Sequence, residues 1–235
     1  ETYGDISSWD VSDINNMSDL FAFKESFNSD ISNWNTEKVT DMSRMFENAI
    51  SFNQSLTFNT KNVTNMSDMF SKAESFNKPL NWNTKNVTNM NGMFFFAKSY
   101  NKSLNFDTNN VTDMSYMFDQ AESFNKPLNF NTEKVTDMRY MFSEATSFNQ
   151  DLSMWCVPKI TVMPQNFGLP ENSDISPKWG ECPKRYTFNS NNSNKVLKIA
   201  VHEWCENKEK AIIKYGHISN WNTQYITDMS KLFKF

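Results

Sequence analysis

An aromatic residue returns along this chain at a nearly constant interval. Trp9, Trp34, Phe58, Trp82, Phe106, Phe130 and Trp155 are separated by steps of 24 or 25 residues. A fixed period of that length is the signature of stacked repeats. One such unit cannot bury enough apolar surface to offset the entropy of ordering itself, so units must lean on one another. The compositional bias follows from the repeated motif: 21 Phe, 14 Met and 33 Asn in 235 residues.

Inside a unit the apolar residues have a second spacing. Val39, Met42, Met45, Phe46 and Ala49 step by three, three, one and three. That spacing predicts a short helix over about Asp41–Asn48, with Thr40 or Asp41 at its N-cap. Asn stands at the Asp41 position in residues 65 and 89. An amide serves a cap as well as a carboxylate does, whereas a catalytic acid is not interchangeable with it. The following Phe52-Asn53-x-x-Leu56-x-Phe58 reads as a turn and a short strand. The expected fold class is therefore an α/β solenoid, leucine-rich-repeat-like, with one short helix and one short strand per rung. Met42, Phe46, Phe52 and Leu56 are expected in its core. Asn28, Asn53, Asn77, Asn101, Asn125 and Asn149 each follow an aromatic ring, and are read as a ladder satisfying backbone groups.

The motifs T-[DN]-M-S-x-M-F-x-x-A-x-S-F-N and W-N-T-x-x-V-T resemble the leucine-rich-repeat surface proteins of the bacterial surface protein A type. The resemblance covers about 3–169 and recurs in seven successive units. It implies a curved solenoid, an extracellular, cell-surface or virus-particle-surface location, and a role in adhesion or assembly without enzymatic activity. Lys24, Leu20, Asn166 and Pro170 depart from the motif at the ends of the array, as terminal caps do. The stretch from Trp155-Cys156 to Trp179-Gly180-Glu181-Cys182-Pro183 also resembles the way arrays of this family end. It suggests a Cys156–Cys182 disulfide pinning a cap; the alternative is two free thiols in a reducing compartment.

Beyond the array, Val196, Leu197, Ala200, Val201 and Trp204 have helical spacing, and Lys208–Lys214 reads as a second helix stopped at Gly216. Then the opening of the chain returns. Tyr215-Gly216-His217-Ile218-Ser219-Asn220-Trp221 repeats Tyr3-Gly4-Asp5-Ile6-Ser7-Ser8-Trp9 at an offset of 212 residues, and the likeness continues to Phe233 against Phe21. Four segments are expected: a solenoid of about seven rungs over 1–169, a disulfide-pinned cap over 170–185, a strand and helical cap over 186–214, and the first rung of a further module over 215–235. A module joint is expected at Trp204, Cys205, Met229, Leu232, Phe233 and Phe235, with Cys205 most simply a buried thiol.

Little in the sequence suggests catalysis. The two histidines, His202 and His217, belong to no Cys, Ser or Asp constellation, and no phosphate loop or zinc motif occurs. No cofactor and no metal site are expected. Net charge is −4, from 23 basic and 27 acidic residues, which is no nucleic-acid footprint. No apolar run approaches the roughly 20 residues a membrane span needs. Lys78, Lys102 and Lys126 share one repeat position and form a candidate ligand row for an acidic glycan or a host surface protein; recent duplication is the plainer explanation. Asn62, Asn86, Asn110 and Asn191 are candidate glycosylation sites. The expected partners are neighbouring modules or copies of the chain itself, in a filament, coat or adhesin.

Overall fold

A computed structural model describes residues 3–170, 173–183, 188 and 193–215, and singly 218, 221, 223, 226 and 229. The chain forms two compact units, Glu1–Glu181 and Cys182–Phe235.

Unit 1 is a stack of repeats built from turns, which corrects the expected α/β solenoid. Among its described residues the one helix is a single 3-10 turn, Ile6–Ser8. Parallel pairing is reduced to isolated bridges linking Asn16, Asp41, Asn65, Asn89, Asp113 and Asp137 in sequence. Neither a helix at Asp41–Asn48 nor a strand per repeat is present. The backbone bonds explain why. Met45 N–H donates to Met42 O at 3.3 Å, Glu47 N–H to Arg44 O at 3.1 Å, and Ala49 N–H to Phe46 O at 3.1 Å. These are three-residue turn closures. The alternate N–H groups leave the repeat altogether: Met42, Arg44, Phe46 and Asn48 donate to Asn65, Ser67, Met69 and Ser71 at 2.7–3.1 Å. A donor committed to the next repeat cannot close an i−4 helical bond.

Left-handed backbone accompanies this pattern. Arg44 and Asn48 have φ of 53° and 54°, and Asp68 and Lys72, Gly92 and Phe96, Tyr116 and Gln120, Tyr140 and Glu144 repeat it. A positive φ at the third residue of a turn is the type II requirement. For an L-residue it costs about 1–2 kcal/mol, a cost offset here by the bonds each turn sends to its neighbour. Turns closing every three residues place Met42, Met45, Phe46 and Ala49 on the inside, the same spacing a helix would give.

The core is aromatic. Within a repeat two rings stack, as Phe46 on Phe52 at 4.0 Å, Phe70 on Phe76 at 4.0 Å and Phe94 on Tyr100 at 4.1 Å. Between repeats each ring meets its equivalent, Phe46 to Phe70 at 5.5 Å and Phe52 to Phe76 at 5.9 Å. Two columns of parallel rings thus run through the stack. The column ending in Phe142 stops on Phe167, which meets it edge to face at 88°, and Trp179 covers Phe167 in turn. Leu152 N–H and Val157 N–H fasten the covering segment through Ile175 O and Glu181 O. Met42, Phe46, Phe52 and Leu56 are all buried.

Among the described residues, unit 2 holds two α-helices, α1 (Ser193–Glu206) and α2 (Lys208–Tyr215). Asn207 separates them, and its Oδ1 accepts the Lys210 N–H at 3.0 Å, the bond of an N-cap. Leu197, Ala200 and Val201 from α1 and Ala211 and Tyr215 from α2 form a core with Phe188 and Trp221.

Tyr100 stands where the other repeats carry Phe52, Phe76, Phe124 and Phe148. Its hydroxyl is buried without a hydrogen-bond partner among the described residues, and burial pushes its pKa far up. An unpaired buried hydroxyl costs about 1–3 kcal/mol. Tyr100→Phe is therefore expected to raise the melting temperature by about 2–4 °C or more, measured by calorimetry; a lower value would show that the hydroxyl has a partner.

Candidate functional site

The asparagine ladder is the most regular polar feature of the surface. The side-chain oxygens of Asn28, Asn53, Asn77, Asn101 and Asn125 accept the backbone N–H of Asn53, Asn77, Asn101, Asn125 and Asn149 at 2.9–3.3 Å. An amide suits this place because it carries an acceptor while adding no charge to a stacked row. Lys78, Lys102 and Lys126 follow ladder residues directly and are half-buried. Among the described residues none has an ion-pair partner. The glutamines that flank the row fold back instead: Gln54 Nε2 donates to Asn28 O at 3.0 Å and Gln150 Nε2 to Asn125 Oδ1 at 2.6 Å. The three lysines thus hold one repeat position beside the ladder, without ion-pair partners among the described residues.

The interchangeable Asp/Asn position works as a turn device. Asp41, Asn65, Asn89, Asp113 and Asp137 accept the N–H two residues on at 2.8–3.1 Å. This is the bond of an Asx-turn, and no helix follows it. Among the described residues no group of three or more His, Cys, Asp or Glu side chains is placed to hold a metal ion, and no helix is long and apolar enough to cross a membrane.

The sequon residues Asn62, Asn86 and Asn110 have structural tasks of their own. Their side-chain amides donate to Glu37 O, Lys61 O and Lys85 O at 2.8–2.9 Å, so each binds the preceding repeat. Asn191 lies outside the described residues. Cys156 and Cys182 are disulfide-bonded. Cys205 is free and exposed, which corrects the expectation of a buried thiol. Of the expected joint residues, Trp204 is half-buried and Met229 is exposed; Leu232, Phe233 and Phe235 lie outside the described residues.

Two carboxylates that the sequence pattern did not single out sit in the stack. Asp68 Oδ1 occupies the space where a Cβ at Gly92 would stand, 2.1 Å from it. Burial first, and then the charge of Glu47, push the Asp68 carboxyl up to about 6 against the pull of Arg44. Asp119 is buried with Oδ1 unpartnered, and burial raises its carboxyl as well. The repeat gave no clear signal for them, since these positions vary and carry acids elsewhere too: Asp19, Arg44, Tyr116 and Tyr140 at the first, and Glu47, Ser71, Phe95 and Ser143 at the second.

With this geometry in hand, comparison with known families gives one match. Residues 1–103, 80–179 and 202–235 match the family described as Mycoplasma protein of unknown function, DUF285. The chain belongs to this family. No curated protein and no solved structure matches it. The third matched segment begins within α1 and runs through the 215–229 copy of the opening repeat, so the family pattern resumes in unit 2.

Asp68 makes the pH dependence testable. Its folded-state value of about 6 lies above the ordinary 3.8, so the folded chain binds that proton more tightly than the unfolded chain does. Its contribution to stability is fullest below pH 4 and is lost as pH rises toward 6. Asp68→Asn is expected to be more stable than the parent above pH 6, by on the order of 1 kcal/mol or about 2–4 °C once the full linkage is discounted for solvent screening of the partly exposed carboxylate. The two should converge below pH 4 in thermal melts. An advantage constant with pH would place the effect elsewhere.

Proposed function

We propose that the chain is a non-enzymatic structural repeat module of an extracellular, cell or virus-particle surface, joined end to end in a filament, coat or adhesin. The observation that carries this reading is the return of the first repeat in unit 2. Met17 is buried under the second repeat, where Met17 N–H donates to Asp41 O at 2.9 Å. Its equivalent, Met229, is exposed. Disulfide-bonded Cys156 and Cys182 favour an oxidising compartment, and the motif resemblance to surface proteins points the same way. Electron microscopy and sedimentation of the full chain are expected to show end-to-end particles whose length grows with concentration. Particles of a single chain at every concentration would contradict assembly.

A second reading is an adhesin that holds an acidic glycan or host protein on the lysine row, favoured by the absence of ion-pair partners at Lys78, Lys102 and Lys126 among the described residues. Stacked like charges repel one another and gain from an anion that bridges them. Replacing all three by Gln is expected to leave the melting temperature unchanged and to abolish salt-sensitive retention on a sulfated polysaccharide column. Retention equal to the parent's would remove this reading.

A further inference from the structure

The described residues of the 215–229 copy make the same turn bonds as their equivalents in 3–17. Trp9 N–H donates to Ile6 O at 3.3 Å, and Trp221 N–H to Ile218 O at 3.2 Å. Ile14 N–H donates to Val11 O at 2.9 Å, and Ile226 N–H to Thr223 O at 2.9 Å. The Tyr3 and Trp9 rings meet edge to face at 6.3 Å and 74°; Tyr215 and Trp221 meet at 5.9 Å and 73°.

Burial separates the two copies. Tyr3 is 79% exposed and Tyr215 is 3% exposed; Trp9 is 42% exposed and Trp221 is 9% exposed. The difference is the helical pair. In unit 2, Trp204 of α1 and Phe188, which precedes that helix, meet the Trp221 ring edge to face at 5.9 and 5.3 Å, with Leu197, Val201 and Ala211 in the same core. In unit 1 the equivalents of Ile218 and Trp221, Ile6 and Trp9, line an open groove of about 780 Å³ together with Leu20, Phe23 and Phe27. Leu20 and Phe23 are themselves exposed, at 45% and 63%. Phe23 stands where other repeats carry Asn48, Lys72, Phe96, Gln120 and Glu144, so the face is apolar at a position that is polar in four of the other five. Contiguous exposed apolar surface of this kind marks an interaction site.

We propose that this groove is the docking surface for a second copy of the helical pair, the segment 188–214, set ahead of Tyr3 in the register it holds ahead of Tyr215. The partner is identified by the chain's own chemistry: Trp221, the equivalent of Trp9, is already seated in unit 2 against Trp204 of α1 and Tyr215 at the end of α2. This assignment rests on the reading of the chain as a module joined end to end, and it names the joint. The joint is a helical pair clasping an edge-on Tyr–Trp pair.

The test fuses residues 186–214 ahead of Tyr3 in the full chain and follows amide exchange of residues 3–27 by mass spectrometry. At least a tenfold slowing in the fusion is expected. The slowing should disappear when the added copy alone carries Phe188→Ala and Trp204→Ala. An added copy that leaves 3–27 exchanging at the parent rate overturns the proposal. So does protection that rises with concentration in the unfused chain and is untouched by Trp204→Ala, which would give the groove to a whole second copy. Failure of the module reading shows separately: a protected groove in a protein that stays a single-chain particle upholds the docking surface and removes assembly.

Discussion

Every second backbone N–H between Met42 and Asn48 is directed out of its own repeat and into the next. The remaining features follow from that commitment. With those donors gone, the repeat can close only short turns on itself, and the turns must bend through left-handed residues such as Arg44 and Asn48. The short turns bring Met42, Met45, Phe46 and Ala49 to one side, where the repeat above and the repeat below press rings and thioethers together. The backbone bonds fix the register between repeats, and the two columns of aromatic rings fill the space that register encloses. Neither survives without the other. A single repeat would hold unpaired N–H groups and half-exposed rings.

Polar side chains are recruited to the same end. Thr40, Thr64, Thr88, Thr112 and Thr136 form one line of bonds between repeats. Buried Thr60, Thr84, Thr108 and Thr132 form another, each hydroxyl donating to a carbonyl of the next repeat at 2.7–3.0 Å. Asparagines form the third. Ion pairs that cross from one repeat to the next, such as Lys38–Asp13 and Arg44–Asp19, are exposed and add little. Such regularity explains why the exceptions stand out. Tyr100, Asp68 and Asp119 each put a polar group where the pattern wants none or wants a partnered one. The chain tolerates them because the surrounding repeats hold the backbone in place.

The period, the core and the asparagine ladder were legible from residue spacing, because stacking places identical residues in identical environments. Local secondary structure was not. A period of three from consecutive turns and a period of 3.6 from a helix put the same five side chains inward over so short a segment. Only the destination of the N–H groups separates them, and that is set by the neighbouring repeat rather than by the segment. In Ser193–Glu206 the apolar stripe runs long enough for the two periods to diverge, and a helix forms there. Phe23 went unremarked for a related reason: it lies at an otherwise mostly polar position, a deviation visible only once the repeats are aligned and the face is seen to be open. The repeat geometry, with its open first face and its copy in unit 2, is what supports the proposed role as a surface module.

The central claim concerns the partner of a particular hydrogen bond. Scalar couplings across hydrogen bonds, measured by NMR on isotopically labelled chain, identify the carbonyl that each amide contacts. The account predicts a coupling from the Phe46 amide nitrogen to the carbonyl carbon of Met69, across the 2.9 Å bond between repeats, with Met42, Arg44 and Asn48 coupled to Asn65, Ser67 and Ser71. A coupling from Phe46 to Met42, four residues back in its own repeat, would show a helix and contradict it.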